Sequence, residues 1–364
     1  MTESDLHCIA IAWVVGLSTS AFAGQLQERL GLPPVRSPVD NVLTDTKADL
    51  GKKLFLDKRL SADGSVSCAS CHQPDRAFSD GLKTSRGVGD RAGTRNAPSL
   101  LTAGLMESQF WDGRRASLED QALDPFVNPK EHGLSSHDQL LSTIRHDSDY
   151  PELFRQAFDV STDSIEKRHV AKALASYLRS IVAGNSAFDR FYYAGDQTAL
   201  LPAARRGLTL FTGRAQCSTC HHVGKSSAAF TDNQFHSLHI GLDRIERRLA
   251  GITKEAVAAR RDGRSVDATV LTDDDIAELG RFFITLDPAD IGKFRTPSLR
   301  NVALTAPYMH DGSVPTLEQA VEHEIYYRTA QNGRPLILTP AEKVELTVFL
   351  RSLTSETAHR IDSP

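Results

Sequence analysis

The chain has little of what marks a nucleic-acid or membrane protein. Its 42 Lys+Arg against 46 Asp+Glu leave a formal net charge of −4, and no basic block stands out, so nothing supports a nucleic-acid partner. Apart from one N-terminal apolar stretch, Cys8 to Val15, no segment could cross a bilayer, and that stretch is itself short for a span. Sustained period-2 alternation is missing, which excludes a fold carried by strands. Sulfur and indole are scarce, with three Met, two Trp and five Cys in 364 residues.

The N-terminal stretch ends in Ala21-Phe22-Ala23, an apolar core followed by an A-x-A cleavage signal. Residues 1–23 therefore read as a signal peptide, with a mature, periplasmic chain from near Gly24 and no stable membrane insertion. Glu3 and Asp5 make its start less basic than usual, and a membrane anchor is the alternative. Cleavage would remove Cys8 and leave Trp111 as the sole tryptophan.

The remaining cysteines all fall in two Cys-x-x-Cys-His runs, Cys68-Ala69-Ser70-Cys71-His72 and Cys217-Ser218-Thr219-Cys220-His221. Each reads as a c-type haem attachment site, two thiols bonded to the porphyrin vinyls and the adjacent His on the iron. A zinc ribbon also uses paired Cys-x-x-Cys, but has no need of a His after both pairs. A redox dithiol would expect one motif near a βαβ pattern, which is absent.

The chain also repeats itself. Asn96-Ala97-Pro98-Ser99-Leu100, Trp111-Asp112-Gly113 and Ser117-Leu118-Glu119 recur 199 residues later as Arg295-Thr296-Pro297-Ser298-Leu299, His310-Asp311-Gly312 and Thr316-Leu317-Glu318. Gly51 to Phe55 ahead of the first haem motif matches Gly207 to Phe211 ahead of the second, and Tyr177 to Ile181 matches Phe349 to Leu353. The haem motifs are offset by only 149, so the second half carries about 50 extra residues, placed at Leu242 to Asp275. Ala171, Leu174, Ala175, Leu178 and Ile181 keep helical spacing. Thr339-Pro340-Ala341-Glu342 has the form of a capping box opening a helix through Leu350. The expectation is a mainly α chain of two cytochrome c-like haem domains, 24–190 and 191–364, with the boundary near 190–202.

These residues resemble the bacterial dihaem cytochrome c peroxidases and their MauG relatives from about Asp49 to Leu353. The most specific matches are Leu60 to Gly64, Phe110-Trp111-Asp112-Gly113, and Lys293 to Asn301 running on to Tyr308-Met309-His310-Asp311-Gly312. The resemblance implies two covalently bound haem c groups, a peroxide-binding first haem, a second haem that stores or relays electrons, and Trp111 between them. It assigns acid–base catalysis to Glu131 and peroxide orientation to Gln121; splitting peroxide needs a group that accepts one proton and returns it. From spacing alone, Glu131 and Gln121 are ordinary solvated side chains and Trp111 is core packing. By the same resemblance Asn96, Thr305 and Pro307 hold a calcium ion between the halves, or are turn residues beside prolines. His310 lines the inter-haem region or is a satisfied core His, and His222 is a bystander. Asp75-Arg76 and Arg295 are candidate partners for haem propionates.

Two departures matter. Some relatives supply a distal His to the first haem from the loop read here as Ser85 to Arg91; Val88 stands in its place and implies a five-coordinate haem. At the second haem the expected Met register falls on Glu324, since neither Met106 nor Met309 lies in that column. Tyr327 or Tyr326 could ligate that iron as a Tyr does in MauG, or simply pack against the porphyrin, and His323 would give a bis-His haem. Three functions remain: a peroxide-dependent, MauG-like oxidase of a protein substrate; a cytochrome c peroxidase fed by a small periplasmic redox protein; and a dihaem electron carrier. The missing distal His and Met favour the first.

Overall fold

The computed structural model describes residues 29–332 and 335–356; the expected signal peptide lies outside them. The chain is built from helices, and the sheet structure among the described residues is one two-residue antiparallel pair, β1 (Phe235–His236) with β2 (Phe294–Arg295).

Each half is organised by one crossing of two helices. In the first, α1 (Asp45–Leu56) meets α2 (Lys167–Ser180); in the second, α3 (Pro202–Thr212) meets the C-terminal helix α6 (Pro340–Arg351), with α4 (Leu249–Arg261) and α5 (Leu317–Asn332) between them. Helix α1 starts where the Thr44 hydroxyl accepts from Lys47 N, and it buries Leu50, Leu54 and Phe55 at helical spacing. Helix α6 opens on the expected capping box, Thr339 and Glu342 each bonding the other's backbone, with Pro340 in the first turn.

The crossings are close because both carry glycine at the contact. A Cβ on Gly51 would lie 2.1 Å from Ala173 O, and one on Gly207 would lie 2.0 Å from Glu345 O. Aromatic pairs lock both: Phe55 on Tyr177 at 5.2 Å and 59°, Phe211 on Phe349 at 5.0 Å and 57°. The sequence repeat is thus a repeat of packing.

Three apolar clusters result. The first runs from Leu50 to Ala183, and the second begins at Phe188 and ends at Leu353. The hand-over between them falls between Ala183 and Phe188, just ahead of the 190–202 stretch. The extra segment of the second half, together with the residues that follow it to Phe283, builds a third cluster of its own from Ile245, Ile252, Ala256, Ile276 and Phe283. A segment that buries its own apolar side chains has its polar face free to dock, and it docks on the first half: Thr94 Oγ1 donates to Val270 O, and Arg281 Nη1 donates to the carbonyls of Asp112 and Gly113.

The halves are joined about an approximate two-fold relation. Asn96 N donates to His310 O at 2.9 Å, and Arg295 N donates to Trp111 O at 2.8 Å. Under the 199-residue offset each bond is the image of the other. Further along, Arg300 and Asp189, both fully buried, form a bidentate pair, and Arg300 also donates to the carbonyls of Gly31 and Ala228.

Candidate active site between the two halves

A single cavity of about 770 Å³ runs through the seam, and both Cys-x-x-Cys-His motifs line it. Ser67 starts a four-residue helix that turns Cys68, Cys71 and His72 toward the space, and the second motif does the same from a 3-10 turn over Cys217–Thr219. His72 Nδ1 lies 3.1 Å from Phe78 O, and His221 Nδ1 lies 2.9 Å from Phe230 O. Both phenylalanines are in the left-handed region, φ 57° and 54°, which bulky side chains adopt only when surroundings hold them there. Donation from Nδ1 to a carbonyl leaves Nε2 as the imidazole's lone-pair nitrogen, the arrangement a metal ligand needs. Burial lowers the His72 pKa.

The thiols argue against a dithiol catalyst. Cys68, Cys71, Cys217 and Cys220 are all unbridged. Burial pushes Cys68 and Cys71 up to about 12, far from the thiolate that redox exchange requires. Among the described residues one other group has metal-ligand spacing, Cys220 with Asp232 and His236, and it draws on the second motif itself. Paired thiols, a His beside each pair with Nδ1 near a carbonyl, an apolar cavity and buried arginine nitrogens without protein partners among the described residues (Arg95 Nε and Nη1, Arg295 Nε) all fit two haem groups with anionic side chains.

Glu131, Gln121 and Trp111 line this same cavity. Gln121 ends the helix Leu118–Gln121, started by the Ser117 cap. Trp111 Nε1 donates to Asn96 O at 2.9 Å, so Asn96 touches both Trp111 and, through its own N–H, His310. Burial pushes the Glu131 carboxyl up to about 7; the Arg114 guanidinium and Asn128 oppose this, while Asp124 and Asp267 add to it. A carboxyl half-ionised near neutral pH can take up and return a proton.

The loop 85–91 runs against Glu131. Val88 is buried and its N–H donates to Glu131 O at 2.9 Å, and a Cβ on Gly87 would come within 2.1 Å of Lys130 O. The nitrogen base nearest in sequence, His132, also lines the cavity, yet its Nδ1 is 3.0 Å from Leu60 O and its Nε2 faces Cys68 Sγ at 3.8 Å. The sequence reading passed over His132.

On the second side Glu324 lines the cavity with Ala320, Val321 and Ile325 of α5. Tyr326 and Tyr327 are not among the lining residues: Tyr326 is 69% exposed, and Tyr327 stacks on His239 at 5.1 Å. His323 Nε2 is likewise taken by Leu238 O. Asn96, Thr305 and Pro307 share the cavity wall. His310 lines it too, stacked on Phe294 at 3.6 Å with Nε2 2.8 Å from Glu278 Oε2. His222 is exposed and bonded to Thr219 O, and Asp75 and Arg76 are exposed away from the cavity, whereas Arg295 is buried in its wall.

Residues the sequence reading missed come from the extra segment, Asp267, and from just beyond it, Glu278. Asp267 bridges Arg114 at 2.6 Å and Arg115 at 2.5 Å, and Arg115 also binds Asp124 at 2.7 Å. Glu278 binds Arg244 as well as His310. Nothing local in the sequence announces these partners: Asp267 lies 153 positions from Arg114, and Glu278 lies 32 from His310.

The family model described as di-haem cytochrome c peroxidase matches residues 45–198. The chain is 36% identical to the methylamine utilization protein MauG of Methylorubrum extorquens, over 89% of this chain and 82% of that protein. It is 34% identical to the cytochrome-c peroxidase IdrP1 of Denitromonas iodatirespirans, over 95% and 92%. Among solved structures, a MauG-like protein associated with microbial copper homeostasis superposes with a TM-score of 0.72 at 34% identity, over 92% of this chain and 96% of that one.

Proposed function

This chain belongs to the di-haem cytochrome c peroxidase and MauG family of peroxide-using oxidoreductases, and from that premise we propose that it works in the MauG manner, withdrawing electrons from a protein substrate. Its two haem c groups are held by Cys68, Cys71 and His72 and by Cys217, Cys220 and His221. When bound they supply the redox chemistry, in which peroxide accepts two electrons and two protons and leaves as two waters.

The observation that carries the reading is the pairing of Glu131 with Val88. Glu131 offers a carboxyl poised near pH 7 on the cavity wall, and the adjoining loop, whose Ser85 and Gly87 line the cavity, carries a buried valine at the position where the resemblance puts a ligating His. In this reading Glu131 takes the proton from peroxide and returns it to the departing oxygen, while Gln121 orients the substrate by hydrogen bonding. Trp111, fixed to Asn96 O and sitting at the seam, is the aromatic relay between the halves. Because electrons travel, the protein substrate docks at the surface and need not enter the cavity.

On the second side, Glu324 replaces Tyr327 and Tyr326 in the proposal as the oxygen-bearing side chain beside the second haem site, because it alone of the three lines the cavity. Asn96, Thr305 and Pro307 present oxygen donors without a carboxylate, which suits a weakly held calcium ion. The apolar run 8–15 and the Ala21-Phe22-Ala23 site support a periplasmic location; among the described residues no helix is long and apolar enough to cross a membrane.

The as-isolated ferric protein is expected to show a high-spin haem that reacts with peroxide at once. Two low-spin haems that stay inert until one electron is added would instead establish a reductively activated peroxidase fed by a small electron-donor protein.

A further inference from the structure

Four arginines lie buried around the seam, and they divide into two kinds. Arg300 is held by Asp189, and Arg114 by Asp112 and Asp267. Among the described residues no carboxylate contacts Arg95 or Arg295. Arg95 gives one nitrogen to Ala277 O, while its Nε and Nη1 are buried without a protein partner. Arg295 is 8% exposed; its Nη1 meets only the sulfur of Met106 at 2.8 Å, a weak acceptor, and its Nε has no partner. Both line the cavity.

A guanidinium cannot escape burial by giving up its proton, so a buried one needs an anion. The acid whose charge acts most strongly on Arg95, Glu278, is already bound to His310 and Arg244. Burial even lowers the Arg295 pKa to about 10, with Asp112 only partly opposing it. The cavity wall therefore presents two cations whose counter-charges come from what the cavity holds.

We propose that Arg95 and Arg295 are the carboxylate-binding pair of the cavity, each taking a propionate side chain of a bound porphyrin. The assignment rests on the two-haem reading above and extends it to how the haems are oriented and tuned. Each arginine is also tied to the seam: Arg95 lies over the Phe294 ring at 5.1 Å, itself stacked on His310, and Arg295 N donates to Trp111 O. The propionates would thus meet the protein at the seam itself, beside Trp111 and His310.

The test is spectroelectrochemical titration of the holoprotein, the Arg95→Gln and Arg295→Gln variants and the matching Lys variants, with haem counted per chain. A nearby cation disfavours the ferric state, so each Gln variant should keep two haems yet lower the midpoint potential of one by 59 mV or more, a tenfold change in its reduction equilibrium. Lysine should retain most of the wild-type value. Unmoved potentials in both Gln variants would overturn the assignment. So would wild-type potentials that track added chloride, with the effect lost in the variants, because a diffusible anion would then be the ligand. Should the Gln variants fail to fold, the propionate bending band in resonance Raman decides: a shift in the Lys variants supports the pair, and an unchanged band refutes it. Fewer than two haems per wild-type chain would refute the two-haem reading instead.

Discussion

Asp267 Oδ1 lies 2.6 Å from Arg114 Nε, although the two residues belong to opposite halves of the chain. Arg114 is 5% exposed at its side chain, stacks over Phe110 at 3.3 Å and is the strongest charge acting to lower the Glu131 pKa. The extra segment of the second half therefore supplies part of the electrostatics around Glu131, the proposed acid–base group of the first half.

Asp267→Asn should move the pH midpoint of the peroxide reaction below the wild-type value near 7. Losing the Asp267 charge and unmasking Arg114 both favour ionised Glu131. A shift of about half a unit to one unit would raise the base form roughly 2.5- to 5.5-fold at pH 6. Stopped-flow rates against pH measure this; a variant that loses thermal stability but keeps its midpoint would show that Asp267 is only a brace.

Glu131→Gln should slow the peroxide reaction by about 10²- to 10⁴-fold, the range for losing a positioned acid–base group. It should also alter how stability depends on pH. The native carboxyl has its pKa raised from 4.5 to about 7, so the folded state holds this proton more tightly than the unfolded chain. That contribution is complete below about pH 4.5 and is lost as pH rises through 7. Glutamine carries no such dependence, so the variant should gain on wild type by up to about 3 kcal/mol between those limits. Denaturant unfolding at pH 5 and pH 8 gives the comparison.

Asp189→Asn should destabilise the fold by about 3–5 kcal/mol, since it leaves the fully buried Arg300 without its counter-charge. The loss should appear in urea unfolding, with the haem spectra of the folded fraction unchanged, because Asp189 does not line the cavity.

Gly51→Ala and Gly207→Ala should each cost about 1–3 kcal/mol by forcing a helix crossing apart. Since Gly51 serves the first core and Gly207 the second, each should loosen its own half first. Hydrogen exchange resolved along the chain would show protection lost in α1 and α2 for the one, and in α3 and α6 for the other.

Much of this was legible before any coordinates. The haem motifs are local, so spacing alone reveals them. The internal repeat exposes the paired architecture, and the Thr339–Glu342 capping box announces α6 because caps act within one turn. Trp111, Gln121 and Glu131 came from resemblance, and the fold brings all three to one cavity wall.

What the linear chain determined is whatever depends on neighbours within a few positions or on its own repetition: the attachment sites, the helices and the two-fold plan. Tertiary structure alone decided which charges meet. Glu278 finds His310, Tyr327 stacks on His239 while Glu324 lines the cavity, and Asp267 finds Arg114, 153 positions away, because the extra segment folds on its own core and docks across the seam. Electrostatic partners are set by distance through space, and no periodicity in the sequence encodes a contact made over 150 residues away.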